Sequence, residues 1–168
     1  MSSTRAEVFE QVRARYIGLL TSVLWKLTGD RELFTEAMQY ALLGIWQHLG
    51  KLNGEKASAY IYRIALSANS KAWRNRIGRD GQLTGHAGFE KSLNEQFDRE
   101  ELTMIVRREI SQLPDKQAKA VVMRYLEQQD YQAIAGKLSC SEAGVRSHVS
   151  KALAKLKNKL EALALQEL

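Results

Sequence analysis

Cysteine and proline are almost missing from the 168 residues, with one of each, Cys140 and Pro114. A single cysteine excludes an intramolecular disulfide framework, and three scattered histidines (His48, His86, His148) offer no zinc-ligand spacing, so neither a metal nor another cofactor is expected. Sustained apolar–polar alternation is lacking as well. No Asn-Gly or Asp-Gly pair joins two β-branched runs, Asp80-Gly81 lying in a polar stretch, and strands are therefore not expected. No apolar run approaches the roughly 18 residues of a membrane span. Arg5, Glu7 and Glu10 stand where the apolar centre of a signal peptide would lie, so the expected location is cytoplasmic, without membrane insertion. A nucleotide-binding glycine loop and a Ser–His–Asp set with a recognisable elbow are both absent, which argues against an enzyme.

What is present is a helical pattern with a basic balance. Apolar residues make up 45%, and 25 Lys and Arg against 19 Asp and Glu give a net charge of +6, which favours a polyanionic partner. Helical spacing predicts a helix over about 4–27 (Val8, Val12, Ile17, Leu20, Val23, Leu24, Leu27), stopped by Gly29. A second is predicted over about 32–49 and a third over about 56–77, with Gly50 and Asn53-Gly54 in the loop between them. From Gly78 the character changes: Gly78, Gly81, Gly85 and Gly88 sit among polar residues and mark a flexible linker. Periodicity returns over 97–112. Leu113-Pro114-Asp115 then restarts the chain, and a helix over 115–126 is expected to bury Ala118, Val121, Val122 and Tyr125. The expected fold is all-α: two small helical domains, 1–77 and 96–168, joined by a linker at 78–95, with a helix-turn-helix in the second.

The helix-turn-helix reads from Asp130 to Ala152. Its first helix would bury Ile134 and Leu138, and Ala135 is small enough for a close crossing. Ser141 is suited to N-cap the second, whose apolar stripe is Val145, Val149, Ala152, Leu156 and Leu160. The remaining faces carry Arg146, Ser147, His148, Ser150, Lys151 and Lys155, the groups that a recognition helix lays into a major groove. A helical hairpin with a solvated basic face fits the same pattern. A second basic concentration, Arg63, Lys71, Arg74, Arg76 and Arg79, contains no acid and is interleaved with Tyr60, Tyr62 and Trp73. Cations neutralise phosphates and aromatic faces stack on unpaired bases, although the same aromatics are also candidates for the core. Cys140, in the turn before the recognition helix, is expected to be structural rather than a redox sensor.

In this order the pieces resemble the extracytoplasmic-function sigma factors of the sigma-70 family. Gly29-Asp30, with Gln39 and Trp46, is similar to the family's polymerase-binding helix. Ala59-Tyr-Ile-Tyr-Arg-Ile-Ala65 resembles the Ala-Trp-Leu-Tyr-Arg-Ile-Ala signature that opens the minus-ten helix. Leu113-Pro114, Tyr131-Gln-Ala-Ile-Ala135, Leu138-Ser-Cys-Ser141 and Val145-Arg-Ser-His-Val149 resemble the domain that reads the minus-thirty-five element. The resemblance implies a non-enzymatic alternative sigma factor that binds core RNA polymerase and directs promoter-specific initiation. Glu36, Gln39 and Tyr40 would meet the polymerase. Arg63, Ser67, Lys71, Arg74 and Arg76 would contact the minus-ten region, and Arg146, Ser147, His148, Ser150, Lys151 and Lys155 the minus-thirty-five duplex. Promoter DNA and core polymerase are the implied partners, together with an anti-sigma factor.

Four positions depart from the family pattern. An Asp-Ala-Glu-Asp quartet is replaced by Leu33-Phe34-Thr35-Glu36, a common asparagine by Ser67, an aspartate by Lys71 and a glutamate by Ala133. The lost acids make Thr35 a candidate regulatory phosphosite, since a phosphoryl group would restore about −1.5 to −2 charges there. Two other readings remain open: a helix-turn-helix regulator that does not engage polymerase, and a helical adaptor whose basic faces meet acidic proteins.

Overall fold

Helix α1, Arg5–Thr28, starts from a capping box. The Thr4 hydroxyl accepts from the Glu7 amide at 3.2 Å while the Glu7 carboxylate accepts from the Thr4 amide at 2.8 Å, an arrangement worth about 1 kcal/mol at a helix start. The chain is seen in a computed structural model that describes residues 2–83 and 99–166. Gly29 ends α1 at φ +61°, a left-handed conformation that favours glycine, and its amide closes on the Trp25 carbonyl. Asp30 at once caps α2, Arg31–Gln47, by accepting from Leu33 at 3.0 Å. A single 3-10 turn, Leu49–Lys51, leads to α3, Ala57–Leu83. The described remainder holds α4 (Arg99–Ser111), α5 (Asp115–Val121), α6 (Tyr131–Leu138) and α7 (Glu142–Gln166), and no strand occurs among the described residues.

The expected helices form, with two differences at the ends and turns. Helix α3 does not stop at Ile77 but runs through Gly78 and Gly81 to Leu83, because each glycine costs a helix only about 1 kcal/mol and does not by itself break it. The expected linker thus begins with helix, and its remaining residues, 84–95, lie outside the described residues. The second difference is at Tyr125, which was expected in the core and is 54% exposed. The helix after Val121 widens into a π-helical turn, Val122–Leu126, closed by the Glu127 amide on the Val122 carbonyl at 3.1 Å. The extra residue per turn keeps Val121, Val122 and Met123 all buried and swings Tyr125 outward.

Helices α1, α2 and α3 pack as one layer. Leu20, Val23, Leu24 and Leu27 of α1 meet Leu33, Ala37, Ala41 and Ile45 of α2 and Ile61, Ala65, Ala68 and Ala72 of α3 in one buried cluster. Gly44 lets α2 and α3 approach closely, since a Cβ there would stand 3.0 Å from the Ile64 side chain. The C-terminal half builds on α5, α6 and α7 through Ala118, Ile134, Leu138, Val145, Val149, Ala152 and Leu156, and Ser141 caps α7 by accepting from the Gly144 amide at 3.0 Å. The buried clusters of the two halves are continuous, α3 meeting α4 and α5 across the seam.

Candidate nucleic-acid and polymerase interface

On α3, Arg63, Ser67, Lys71 and Arg74 fall at helical spacing on one exposed stripe. Beside the stripe lies a groove of about 310 Å³ between α2 and α3, lined by Tyr40, Leu43, His48, Tyr60, Arg63 and Ser67 among others. The Lys71 ammonium stands 4.4 Å over the Tyr40 ring and Lys51 lies 5.7 Å over Tyr60, so cations and aromatic faces occur together at the groove. Two of the three aromatics singled out in the sequence do not face it. Tyr62 and Trp73 are buried, and Trp73 donates through its indole N–H to the Leu27 carbonyl at 3.4 Å. Of these three, the half-buried Tyr60 is the one left at the groove.

Arg76, expected on the DNA side, points the other way and binds Asp30 at 3.0 Å and Glu32 at 3.4 Å. It belongs with Asn75 and Arg79 on the flank of α3 that holds α2. Asn75 donates to Glu36 at 2.9 Å and Arg79 pairs with the same carboxylate at 3.1 Å. The Asn75 amide, helped by Arg79 and Tyr40, holds the Glu36 carboxyl below its ordinary range against the opposing effect of burial. Burial also works to raise Asp30, but the Leu33 amide and Arg76 outweigh it and keep this carboxyl low. The one acid surviving from the family quartet is therefore already engaged inside the protein. Leu33 is fully buried, whereas Thr35 and Gln39 are exposed. The Leu33 position faces the core, and only Thr35 and its exposed neighbours can present chemistry outward.

On α7 the apolar stripe is buried as expected, with Leu160 half-buried at its end. Arg146, Ser147, Ser150, Lys151 and Lys155 are exposed, and His148 is half-buried. The N-cap of α6, Asp130, accepts from Ala133 at 2.7 Å, so the residue that lacks the family glutamate still supplies a capped amide.

The sequence reading missed the seam between the halves. The Tyr62 hydroxyl donates to Glu127 at 3.1 Å and accepts from the Gln129 amide at 3.1 Å. Lys26 pairs with Glu127 at 3.1 Å, and Lys137 donates to Gln129 at 2.8 Å while lying 5.1 Å over the Tyr62 ring. Burial, and then the charge of Glu127, push the Tyr62 hydroxyl up to about 12, and burial pulls the Lys137 ammonium below its ordinary value despite Glu127. Nearby, Arg107 donates to the Lys26 carbonyl at 2.8 Å, its guanidinium filling the space a Cβ on Gly29 would need. Partners 65 to 101 positions apart leave no local pattern, so only the charged residues beside the tyrosine signature hinted at this junction.

Among the described residues no group of three or more His, Cys, Asp or Glu could hold a metal ion, and no helix is long and apolar enough to cross a membrane. The description "Sigma-70 region 2" matches residues 13–77 and "Sigma-70, region 4" matches residues 103–156. The chain is 30% identical over 161 residues to the RNA polymerase sigma-E factor of Streptomyces avermitilis, covering 93% of this chain and 86% of that protein. It is 19% identical over 151 residues to the ECF RNA polymerase sigma factor SigM of Bacillus subtilis, covering 88% and 92% respectively. The solved sigma factor RpoE of Bartonella quintana, in complex with the anti-sigma factor NepR, superposes with a TM-score of 0.47 at 15% identity, over 91% of this chain and 96% of that one. With both regions present in order and a full-length relative at this identity, the chain belongs to the extracytoplasmic-function group of the sigma-70 family and is an alternative RNA polymerase sigma factor.

Proposed function

We propose that residues 1–77 engage core RNA polymerase and the minus-ten element, that 78–95 join the halves, and that 96–168 read the minus-thirty-five duplex. The observation that carries this is the exposed stripe of Arg63, Ser67, Lys71 and Arg74 along an open groove, matched by a second basic stripe on α7. Phosphate contact by such stripes gives salt-dependent binding, and base-edge contact by Arg146 and its neighbours gives choice of sequence. Arg76 is assigned to holding α2, not to DNA. Gln39, Tyr40 and the outer edge of Glu36 form the polymerase contact, and Thr35, exposed beside them, is the position where phosphorylation would add the missing charge. The protein has no catalytic role of its own in this reading and works in the cytoplasm, where an anti-sigma factor covering either stripe would silence it.

The test is transcription in vitro with core polymerase and a library of genomic fragments. Transcripts from a discrete promoter set are expected, and they should fade when Lys71 and Arg74 are both changed to alanine. Salt-dependent duplex binding without any transcription would instead identify a regulator that acts apart from polymerase.

A further inference from the structure

One side chain of the helix-turn-helix has no place in the function so far. Tyr131, the first residue of α6, carries two guanidinium groups over its ring: Arg124 at 4.3 Å and Arg146 at 4.6 Å from the ring centre. The two arginines come from different elements, Arg124 from the π-helical turn and Arg146 from the recognition helix. Arg124 is fixed further by donating to the Gln129 carbonyl at 3.1 Å. The ring is half-buried against the core, so its plane is held by packing, whereas Arg146 is exposed. Among the described residues no carboxylate pairs with Arg146. Its N–H donors are therefore directed by the ring face and free to bond something that arrives from solvent.

We propose that Tyr131 is a positioning residue for promoter recognition: its ring holds the Arg146 guanidinium in one orientation from which it meets a base edge. A free arginine on a helix surface samples many rotamers, and a bidentate bond to guanine requires the planar fork to arrive edge-on. Stacking leaves all five N–H donors available while removing much of that freedom, because the ring engages the flat face of the fork and not its rim. Arg124 acts in the same direction. A second cation on the ring raises the local positive potential, so the arrangement is satisfied best when an anionic backbone lies alongside. The inference rests on Arg146 being a base-reading residue, as proposed above.

The experiment compares base preference across a promoter library randomised at the minus-thirty-five element, using the full-length protein with core polymerase. The variants are Tyr131→Phe, Tyr131→Leu, Tyr131→Met, Arg146→Ala and the double variant Tyr131→Leu/Arg146→Ala. Tyr131→Phe keeps the ring and should keep the wild-type profile. Tyr131→Leu and Tyr131→Met keep apolar volume at the packing site, and each should weaken discrimination about three- to fivefold at the position that Arg146→Ala flattens. In the Arg146→Ala background, Tyr131→Leu should change that position no further. If Tyr131→Leu and Tyr131→Met depress transcription equally on every promoter and leave that position intact, Tyr131 is merely structural and the proposal fails alone. If Arg146→Ala itself changes no position, the base-reading role of Arg146 falls and the proposal falls with it.

Discussion

Helix α3 meets α2 and the C-terminal half by different means. Against α2 it buries a seamless apolar surface, Leu33, Ala37, Ala41 and Ile45 facing Ile61, Ala65, Ala68 and Ala72, with ion pairs confined to the rim at Asp30, Glu32 and Glu36. Against the C-terminal half a polar knot sits in the contact: Tyr62, Glu127, Gln129, Lys137 and Lys26 satisfy one another. Separating the first interface would expose apolar side chains, at about 1.5–3 kcal/mol for each Leu or Ile and less for each Ala. Separating the second would expose the apolar residues that make the two clusters continuous and would also exchange its hydrogen bonds for bonds to water, at a net cost of about 0.5–1.5 kcal/mol apiece. The α2–α3 pair is a permanent unit held by packing, and the seam joins the halves through apolar contact and a knot of titratable groups together.

The largest effect should come from attacking the permanent unit. Leu33→Asp places a carboxylate in a site that is 0% exposed and should cost about 3–5 kcal/mol in urea unfolding. Thr35→Glu, one turn face away and exposed, should change stability by less than about 0.5 kcal/mol while tightening core-polymerase binding at low salt. Equal stability losses in the two variants would mean that the inward and outward faces of α2 have been misassigned.

Gly29→Ala strikes the end of α1 and the seam together. It forces a side chain into the left-handed cap of α1 and into the space held by Arg107. A loss of about 1–2 kcal/mol is expected from the backbone alone, accompanied by faster hydrogen exchange at the seam. Arg107→Ala should recover the seam exchange only in part and leave the backbone loss in place. Full recovery by Arg107→Ala would show that the cap conformation contributes little.

Tyr62→Phe addresses the seam alone. It removes one donor from Glu127 and one acceptor from Gln129, and should weaken the closed arrangement by about 1–2 kcal/mol with the α2–α3 unit unchanged. The pH dependence has a definite sign. The Tyr62 hydroxyl is raised in the folded state, so its contribution is complete below about pH 10 and is lost as pH rises towards about 12. Lys137 is lowered, so the cost of burying its charge is relieved as pH rises through that lowered value towards the ordinary lysine range. The seam should therefore hold best just below pH 10 and loosen above it, measured by the distance between labels placed on the two halves. A seam in Tyr62→Phe that loosens over the same alkaline range as wild type would exclude Tyr62 as the titrating group.

The smallest effect belongs to the rim. Arg79→Ala removes a partly exposed pair and should cost no more than about 1 kcal/mol, yet it frees the Oε2 oxygen of Glu36, with Asn75 still on Oε1, and should strengthen polymerase binding. Unchanged polymerase affinity would show that Glu36 does not act at that contact.

Much of this arrangement was legible from periodicity and caps. Ser141 caps α7 as its side chain implied, and the Val145–Val149–Ala152–Leu156 stripe is buried as its spacing implied. The misses have particular causes. Gly78 reads as a breaker but a helix carries it, and Tyr125 follows the α-helical period up to a π-helical turn that no local pattern announces. Arg76 looks like a DNA-facing residue in a basic run, and Tyr62 fits either the core or a stacking face. Which face of α3 they occupy is decided by Asp30 and Glu127, 46 and 65 positions away. Local pattern says which residues are charged; only the tertiary fold says which charges are already matched.

The π-helical turn at Val122–Leu126 amounts to one residue spliced into an otherwise regular helix. Deleting Tyr125, whose side chain is largely outside the core, would let the backbone revert to ordinary α-helical pitch, and everything downstream would rotate by about 100° about the helix axis. Glu127 and Gln129 would then no longer point at Tyr62, and α6 would present a different edge to α7. The spliced residue serves as a spacer that sets the angular phase of α6 against α5, so a shortened variant should still be helical by circular dichroism yet lose the bonds of Glu127 and Gln129 to Tyr62.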